Sequence, residues 1–349
     1  MPKIASIYIR EIRRPLKTTF ATALGSKAFL HNFLVSVRLN NGCEGVGEIP
    51  TSFSRPEETP ARIREVMAQV SREVKHAELD GYEKLVGEFH ARFPRERMTI
   101  SGLEVALLRA SLKGRSVTEH RFFGAHVNRL ETDITIPFVP DAQSLTKWIG
   151  YALRNRFTVF KVKVSGNVEE DKSFLSLVHH ILAKAGLPFR LRLDGNQGFG
   201  VDAFLRFVEW IRSNDYPVEL FEQPLPKHDL KGLGKIRKAA ALPIILDESV
   251  ESAQDLKQAL EADACDGVNI KIAKSGIAES LEIVKLARAN GLSLMIGCMT
   301  ETMVGLSAAI HLAAGMGSFE YIDLDSIYLL HHRNRYDNIL ITGPTLSIA

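Results

Sequence analysis

The chain has 349 residues, of which 45% are hydrophobic and 24% are charged, and its formal net charge is +3. This length exceeds one typical domain and suits a (β/α)8-type barrel of about 250 residues with a smaller companion. The composition argues against a disordered chain. The small charge, without a dense run of Lys and Arg, argues against a nucleic-acid partner. We therefore expect two domains and a small-molecule partner.

The cysteines and the apolar segments bear on location. Cys43, Cys265 and Cys298 form no CxxC pair, which indicates neither a disulfide framework nor a cysteine zinc site and fits a reducing cytoplasm. The N-terminus lacks the apolar core of a signal peptide, and the most apolar stretch, Gly305 to Gly317, is too short to span a bilayer. The sequence predicts a cytoplasmic protein with no membrane partner. A homo-oligomer is compatible with it, but the sequence does not decide the oligomeric state.

The first third of the chain is predicted to contain strands followed by helices. Ile4 to Ile9 and Phe33 to Leu39 have strand composition, and the second segment enters an Asn-Asn-Gly turn. Apolar residues at helical spacing follow over residues 56–114. This pattern predicts an α+β unit. We assign residues 1–128 to it and expect the C-terminal segment 331–349 to complete it.

From about Glu131 onward, short apolar strands alternate with amphipathic helices, which is typical of parallel β/α units. We assign residues 129–330 to a barrel domain built in this way. The eight strand candidates begin at Thr135, Phe160, Arg190, Leu220, Ile244, Gly267, Ser293 and Tyr321.

Three carboxylates stand at the ends of three successive predicted strands: Asp194, Glu222 and Asp247. In such barrels the C-terminal strand ends converge on one mouth, where the active site lies. Converging unpaired carboxylates repel one another unless a cation neutralises them, and oxygen ligands of this kind favour Mg²⁺. We therefore expect a Mg²⁺ site. The alternative is that each carboxylate pairs with a local Lys or Arg or caps a helix.

Two lysine pairs lie on flanking strands, namely Lys161 with Lys163 and Lys271 with Lys274. Because side chains alternate along a strand, Lys161 and Lys163 share the inward face, as do Asn269 and Lys271. Strands two and six are opposite in a ring of eight, so Lys163 and Lys271 should face each other across the mouth. Burial, another ammonium and a divalent cation can lower a lysine pKa from ~10.4 toward the ~7 to 8 useful for a general base. The alternative is that the lysines only balance the carboxylates.

An ordered set of motifs carries a family resemblance. The motifs are Lys161-Val-Lys163, Asp194-Gly-Asn196, Glu222-Gln-Pro224, Asp247-Glu248-Ser249 and Asn269-Ile-Lys271. The set resembles the enolase superfamily, muconate-lactonizing-enzyme subgroup, and the early α+β unit resembles the capping domain of that family. The resemblance implies a modified TIM barrel of the (β/α)7β type, with Mg²⁺ bound by Asp194, Glu222 and Asp247. It also implies Lys163 and Lys271 as acid/base groups, an enediolate stabilised by the metal, and a supporting role for Asn196, Glu248 and Asn269.

The end of strand eight adds Asp323 and Asp325 on one inward face. This Asp-x-Asp resembles the feature by which dipeptide epimerases hold the α-ammonium group of the substrate, since a free amine satisfies the charge of two carboxylates. Cys298-Met299 also resembles that family. We expect Lys161 and Thr135, at the end of strand one, to line the substrate site with these residues. The alternative is that the two aspartates pair with His331, Arg333 or another local cation.

The resemblance therefore implies a dipeptide epimerase, an isomerase in which one lysine removes the α-proton of the second residue and the opposite lysine returns a proton to the other face. o-Succinylbenzoate synthase, N-acylamino acid racemase and muconate cycloisomerase share the metal site and lysines but need no amine receptor. An acid-sugar dehydratase would be expected to use histidine where this chain has Lys271 and Cys298. A non-catalytic metal-binding barrel is the alternative from a different class.

The segment Thr18 to Leu30 bears on side-chain preference. In dipeptide epimerases the N-terminal cap segment helps to choose side chains, and those resembling Ala-Glu epimerases often carry an arginine there. This chain has none, and the ammonium of Lys27 lacks the planar fork of a guanidinium. We therefore expect an apolar or basic second residue to be preferred over glutamate. The alternative is that Lys27 or another cap residue supplies the charge.

Overall fold

A computed structural model describes residues 2–22, 25–138, 141–331 and 334–349. Arg333, which the sequence offered as a partner for the Asp-x-Asp pair, lies outside the described residues, as do residues 23–24 of the cap segment. The described strands form three sheets of three, eight and four strands. None of the described helices combines the length and the apolarity needed to cross a membrane.

The N-terminal sheet contains three antiparallel strands. They are β1 (Ile4–Thr22), β2 (Gly25–Leu39) and β3 (Glu44–Ile49). A turn joins β2 to β3 as predicted, closed by a hydrogen bond of 2.8 Å from the Leu39 amide to the Cys43 carbonyl. The first two strands extend far beyond the predicted ones. Exposed Arg and Lys residues obscure their alternation, and the β1–β2 register shifts between Pro15 and Phe20, which is tolerated because β1 is an edge strand.

Four helices follow this sheet. They are α1 (Pro60–Glu73), α2 (Tyr82–Arg92), α3 (Arg97–Gly114) and α4 (Glu119–Phe122). α1 begins at a proline, whose fixed φ suits the first helical position, and the Thr59 side chain accepts the Arg62 amide as an N-cap. α3 lies so close to β3 that a Cβ added at Gly45 or Gly47 would collide with its backbone. The predicted α+β unit is confirmed.

After a short strand, β4 (Arg129–Glu131), eight parallel strands form the barrel in sequential order, and each coincides with a predicted strand. They are β5 (Ile134–Ile136), β6 (Val159–Lys163), β7 (Arg190–Asp194), β8 (Val218–Glu222), β9 (Ile244–Leu246), β10 (Gly267–Ile270), β11 (Ser293–Gly297) and β12 (Tyr321–Asp323). The Asp133 amide donates to the Ile322 carbonyl at 3.1 Å, and the Leu324 amide donates to the Thr132 hydroxyl at 2.8 Å. These bonds join the first strand to the last.

Helices on the outside connect successive strands. They are α5 (Ala142–Arg154), α6 (Val168–Ala183), α7 (Val201–Ser213), α8 (Leu230–Ala240), α9 (Ala253–Glu261), α10 (Ile272–Ser275), α11 (Ile277–Ala289) and α12 (Met303–Met316). α10 is a single turn before α11, so seven connections separate the eight strands. The last strand is followed only by a 3₁₀ turn, Ser326–Leu329, among the described residues of that region. The (β/α)7β barrel is therefore confirmed.

The C-terminal segment adds three antiparallel strands, β13 (Arg335–Tyr336), β14 (Ile339–Thr342) and β15 (Thr345–Ile348). β15 pairs with β4, which makes a four-stranded sheet beside the start of the barrel. The assignment of residues 1–128 with 331–349 to a capping domain and of residues 129–330 to the barrel domain stays a prediction.

Buried carboxylates of the N-terminal unit cap two barrel helices. Glu104 of α3 accepts the amides of Ile277 and Ala278, at 2.7 and 2.9 Å, where α11 begins. Glu48 of β3 accepts the amide of Thr302, at 3.0 Å, where α12 begins. Such carboxylates satisfy helix amides that have no partner within the helix and match the positive end of the helix dipole. They hold the N-terminal unit against the barrel.

Candidate active site

The three predicted metal ligands lie together at the C-terminal end of the barrel. Asp194 and Glu222 are the last residues of β7 and β8 and are paired in register, and Asp247 directly follows β9. All three are buried. The ammonium of Lys271 bridges two of them, at 2.6 Å from Asp247 and 3.9 Å from Glu222.

The two inward lysines of β6 contact the same group of carboxylates. The Lys161 ammonium lies 2.9 Å from Asp194 and 2.6 Å from Glu222. The Lys163 ammonium lies 2.5 Å from Asp194. Despite burial, Lys161, Lys163 and Lys271 hold the pKa of Asp194 below its ordinary value. The carboxylates therefore do pair with lysines, but with lysines from other strands that also line the mouth.

Lys271 lies among carboxylates that act on its pKa. Burial lowers the pKa of its ammonium, but Asp247 and Glu222 outweigh burial and hold that pKa above the ordinary value. A divalent cation on the same carboxylates would counter their effect on the lysine. The lowered pKa expected of Lys271 beside such a cation stays a prediction.

Unpartnered oxygens test whether this site fits a metal. Four buried side-chain oxygens at this site lack a hydrogen-bond partner among the described residues: Oε2 of Glu222, Oδ1 of Asn196, Oε2 of Glu248 and Oδ1 of Asn269. The two amide nitrogens are engaged, Asn269 with Glu222 at 2.8 Å and Asn196 with Glu248 at 3.3 Å. The Lys161 ammonium approaches Glu222 Oε2 at 2.6 Å without hydrogen-bond geometry. An all-oxygen donor set of this kind fits Mg²⁺.

The charge balance agrees with this fit. Burial and the charge of Asp194 raise the pKa of Glu222 to about 7. Burial, Asp247 and Asp194 raise the pKa of Glu248 to about 8. Burial and the neighbouring carboxylates thus disfavour the ionised form of both glutamates, and a divalent cation beside them would favour it.

The Asp-x-Asp pair lies beside this group. Asp323 ends β12 and its carboxylate lies 2.7 Å from the Lys161 ammonium. Asp325 accepts the backbone amide of Thr135 and forms no ion pair among the described residues. Burial and Asp323 raise the pKa of Asp325 to about 6. Neither aspartate pairs with His331 in the part of the chain that the structure describes.

One cavity of about 870 Å³, open side included, contains the predicted bases and both aspartates in its wall. Thr135, Cys298 and Met299 line it too, as the sequence predicted. Phe20 of β1 lies over the Lys163 ammonium, 5.8 Å from it. The N-terminal unit thus closes one side of the cavity, through the residues Phe20, Lys27, Thr51, Ser52, Phe53, Ser54 and Arg55.

The comparisons with known proteins can now be set beside this geometry. Residues 146–344 match the family described as Enolase C-terminal domain-like. The chain belongs to the enolase superfamily. A relative in it, the aromatic dipeptide epimerase of Herpetosiphon aurantiacus, is 31% identical over 347 residues, which are 99% of this chain and 96% of the relative. The resemblance drawn from the strand-end motifs is confirmed.

Two solved structures of epimerases are similar to this enolase-superfamily chain over nearly its whole length. The L-Ala-D/L-Glu epimerase from Bacillus subtilis, in a substrate-liganded complex, has a TM-score of 0.92 and 27% identity, covering 99% of this chain and 96% of that one. The dipeptide epimerase from Enterococcus faecalis V583, complexed with Mg and L-Leu-L-Tyr, has a TM-score of 0.89 and 26% identity, covering 99% and 97%. The fold of the whole chain is that of these enolase-superfamily proteins.

Three buried charged residues in or beside this site received no role from the sequence, although Lys274 was noted there as the partner of Lys271. The Lys274 ammonium lies 2.6 Å from Asp247, and its position three residues after Lys271 was the available signal. Asp133 and Arg192 form an ion pair of 2.8 Å inside the barrel. Arg192 stands two residues before Asp194 on the same strand, so the inward alternation that located Lys161 would also have located Arg192.

Proposed function

We propose that the chain is a Mg²⁺-dependent dipeptide epimerase. The observation that carries the proposal is Asp325, a buried carboxylate without a cationic partner among the described residues, in the same cavity wall as Lys163 and Lys271. The groups of a dipeptide would complement this cavity. Its ammonium group would bind Asp325, and its α-proton would lie between the two lysines. The relatives named as dipeptide epimerases support the same activity.

Asp194, Glu222 and Asp247 would hold the metal. When bound, Mg²⁺ supplies positive charge to the substrate carboxylate and so makes the neighbouring α-proton easier to remove. The amide group of Asn269 donates to Glu222, and that of Asn196 donates to Glu248, which fixes the orientation of these carboxylates.

The two lysines would act from opposite faces of the substrate. Lys163 belongs to the second strand of the ring and Lys271 follows the sixth, so four strand positions separate them. One lysine removes the α-proton of the second residue, and the enediolate that forms takes a proton from the other lysine on the opposite face. This 1,1-proton transfer inverts the α-carbon. The neutral form of each lysine is the base, and its ammonium is the acid.

Asp325 and Asp323 would bind the free amine of the first residue. The Lys161 ammonium already engages Asp323, which leaves Asp325 as the carboxylate with charge to offer. A charge-assisted hydrogen bond from an ammonium is stronger than one between neutral groups. o-Succinylbenzoate synthase, N-acylamino acid racemase and muconate cycloisomerase chemistry would not use this charge, which is why we rank those activities second.

The apolar part of the cavity would take the side chain of the second residue. Phe20, Phe53, Met299 and Leu329 contribute apolar surface there. Two cations of the N-terminal unit also lie in the wall. Arg55 is paired with Glu251 and Glu57, and Lys27 donates to the Thr51 carbonyl at 3.3 Å. We therefore propose an apolar second residue; the two cations make a basic one less suitable than the sequence alone indicated.

The state of the cysteines bears on the cellular compartment of the enzyme. All three cysteines are free in the structure, including the buried Cys265. Unpaired cysteines fit a reducing compartment, and we propose that the enzyme works in the cytoplasm.

Solvent exchange tests the function directly. The protein with Mg²⁺ is incubated with pools of L,L-dipeptides in D₂O, and mass spectrometry and chiral chromatography follow the products. We expect one deuterium at the α-carbon of the second residue together with the L,D epimer, and neither in a Lys163→Ala, Lys271→Ala double variant. Exchange confined to N-acylamino acids would instead establish the racemase activity. No exchange with any pool would favour the non-catalytic barrel.

A further inference from the structure

Asp133 is a buried carboxylate that the proposed reaction leaves unused. It directly precedes β5 and is 1% exposed. Its Oδ2 accepts a hydrogen bond of 2.8 Å from Arg192, whereas its Oδ1 has no hydrogen-bond partner among the described residues. Burying an oxygen that accepts no hydrogen bond costs free energy of folding. The neighbours of Asp133 suggest what this carboxylate does.

Those surroundings are the two aspartates of the amine site. One carboxylate oxygen from each of Asp133, Asp323 and Asp325 lies within 4.8 Å of the other two, and all three residues are buried. Asp133 also lines a second cavity at the opposite end of the barrel, and it is absent from the wall of the substrate cavity. It therefore acts on the amine site from below rather than by touching the substrate.

The cations around this cluster are fewer than its carboxylates. Arg192 pairs with Asp133 and also with Glu219. Lys161 pairs with Asp323 and also with Asp194 and Glu222. Asp325 has no cationic partner in the described chain. The three carboxylates of the cluster therefore depend on two cations that other carboxylates also engage, and negative charge remains at the cluster. Asp133 contributes one carboxylate to this excess.

Arg192 also contacts the last barrel strand, which carries Asp323. Its guanidinium donates to the carbonyl of Ile322, the residue before Asp323, at 3.0 Å. Glu219 holds the guanidinium as well, and the guanidinium lies 5.1 Å from the ring centre of Tyr321. Asp133 and Glu219 together keep this guanidinium engaged below the amine site.

We infer that Asp133 is a positioning residue for the ammonium group of the substrate, because its carboxylate engages Arg192 from below and adds negative charge beside Asp323 and Asp325. The inference rests on the proposed dipeptide epimerase function and adds to it a residue beyond the Asp-x-Asp pair. It assigns to the ion pair inside the barrel a part in selecting substrates that carry a free amine.

The test compares an amine with its uncharged isostere. For wild type and Asp133→Asn, we measure kcat and KM with Ala-Leu and the inhibition constant of propionyl-Leu, which lacks only the amino group. Removing a unit charge that lies within 4.8 Å of the two buried aspartates of the amine site should raise KM for Ala-Leu by about tenfold or more. The inhibition constant of propionyl-Leu and kcat should each change by less than about threefold. Glu131→Gln, two residues away and exposed, is the matched control.

A double variant separates charge balance from a merely structural role. In Asp133→Asn, Arg192→Gln the carboxylate and its cation are both removed, so the negative charge is restored and KM for Ala-Leu should return to within about threefold of wild type. Circular dichroism and thermal melting show whether each variant is folded. Equal losses for Ala-Leu and propionyl-Leu, or no recovery in a folded double variant, would overturn the inference alone. Absence of dipeptide epimerisation by the wild type would overturn the proposed function and the inference with it.

Discussion

The backbone amide of Thr135 donates a hydrogen bond to the carboxylate of Asp325. Thr135 lies on the first barrel strand and Asp325 follows the last, so the closure of the barrel itself orients the carboxylate that we assign to the amine. A peptide N–H satisfies one oxygen without neutralising the charge. The remaining charge is therefore available to a ligand.

Replacing Asp325 by Asn should discriminate between free and blocked amines. One charge-assisted interaction is lost, so kcat/KM for a free dipeptide should fall roughly 10- to 100-fold, and the corresponding N-acylated amino acid should be affected far less. Asp323→Asn should act in the same direction. The measurement is kcat/KM on both substrate classes, with Glu320→Gln as an exposed control nearby. Equal losses on both classes would favour the racemase activity.

Metal removal should abolish activity, and Mg²⁺ should restore it, because the substrate carboxylate would lose the positive charge that Asp194, Glu222 and Asp247 are proposed to hold beside it. Binding can also be measured without turnover. A ligand that binds the folded state raises the melting temperature, so titrating Mg²⁺ into metal-free protein should increase Tm. Glu222→Gln should reduce that increase. Full turnover in rigorously metal-free protein would remove the metal from the mechanism.

Each of the two lysines should be required for epimerisation. Lys163→Ala and Lys271→Ala should lower the epimerisation rate by about 100-fold or more, since each removes one acid/base group. Either variant should still exchange the α-proton of one stereoisomer, because the remaining lysine faces one side of the substrate. Proton exchange in D₂O, followed separately for the L,L and L,D isomers, checks this. Lys285→Ala, on the exposed face of α11, is the control. Normal epimerisation by either variant would exclude that lysine as a base.

Side-chain preference should follow the wall of the cavity. With Phe20, Phe53 and Met299 in the wall and Arg55 already paired, Ala-Leu and Ala-Phe should have higher kcat/KM than Ala-Glu or Ala-Lys. Lys27 is the residue that could reverse this order. Burial lowers the pKa of Lys27 to about 8, so near neutral pH it keeps most of its charge. A preference for Ala-Glu that disappears in Lys27→Met would show that Lys27 selects an acidic side chain.

The barrel and its strand-end residues could be predicted because each carries a signal that survives in one sequence. Asp194, Glu222 and Asp247 each follow a short segment with apolar residues at strand positions, and the regular alternation of such segments with helices indicates parallel strands. Lys161 and Lys163 followed from the alternation of side chains along one strand. Nothing beyond strand geometry was needed for these residues to be placed at one mouth.

The parts that escaped prediction depend on neighbours that are distant in sequence. Phe20 lies in a polar stretch of β1, and only the pairing of β1 with β2 brings it to the cavity. Asp133 looks like a loop residue, and only closure of the barrel places it beside Asp323. The contact of Asp247 with the Lys271 ammonium, which raises the pKa of that lysine, is likewise not visible in the sequence.

The contact of Glu104 with Ile277 has a consequence for exchanging parts between relatives. The first amides of α11 obtain their acceptor from a helix more than a hundred residues earlier in the chain. In a chimera whose first 128 residues come from another protein, the residues that line one side of the substrate cavity would change. The side chain that accepts the first amides of α11 would change at the same time. Unless the donor carries a carboxylate at the equivalent place, specificity and foldability would change together, and a loss of activity in the chimera would say little about the substrate.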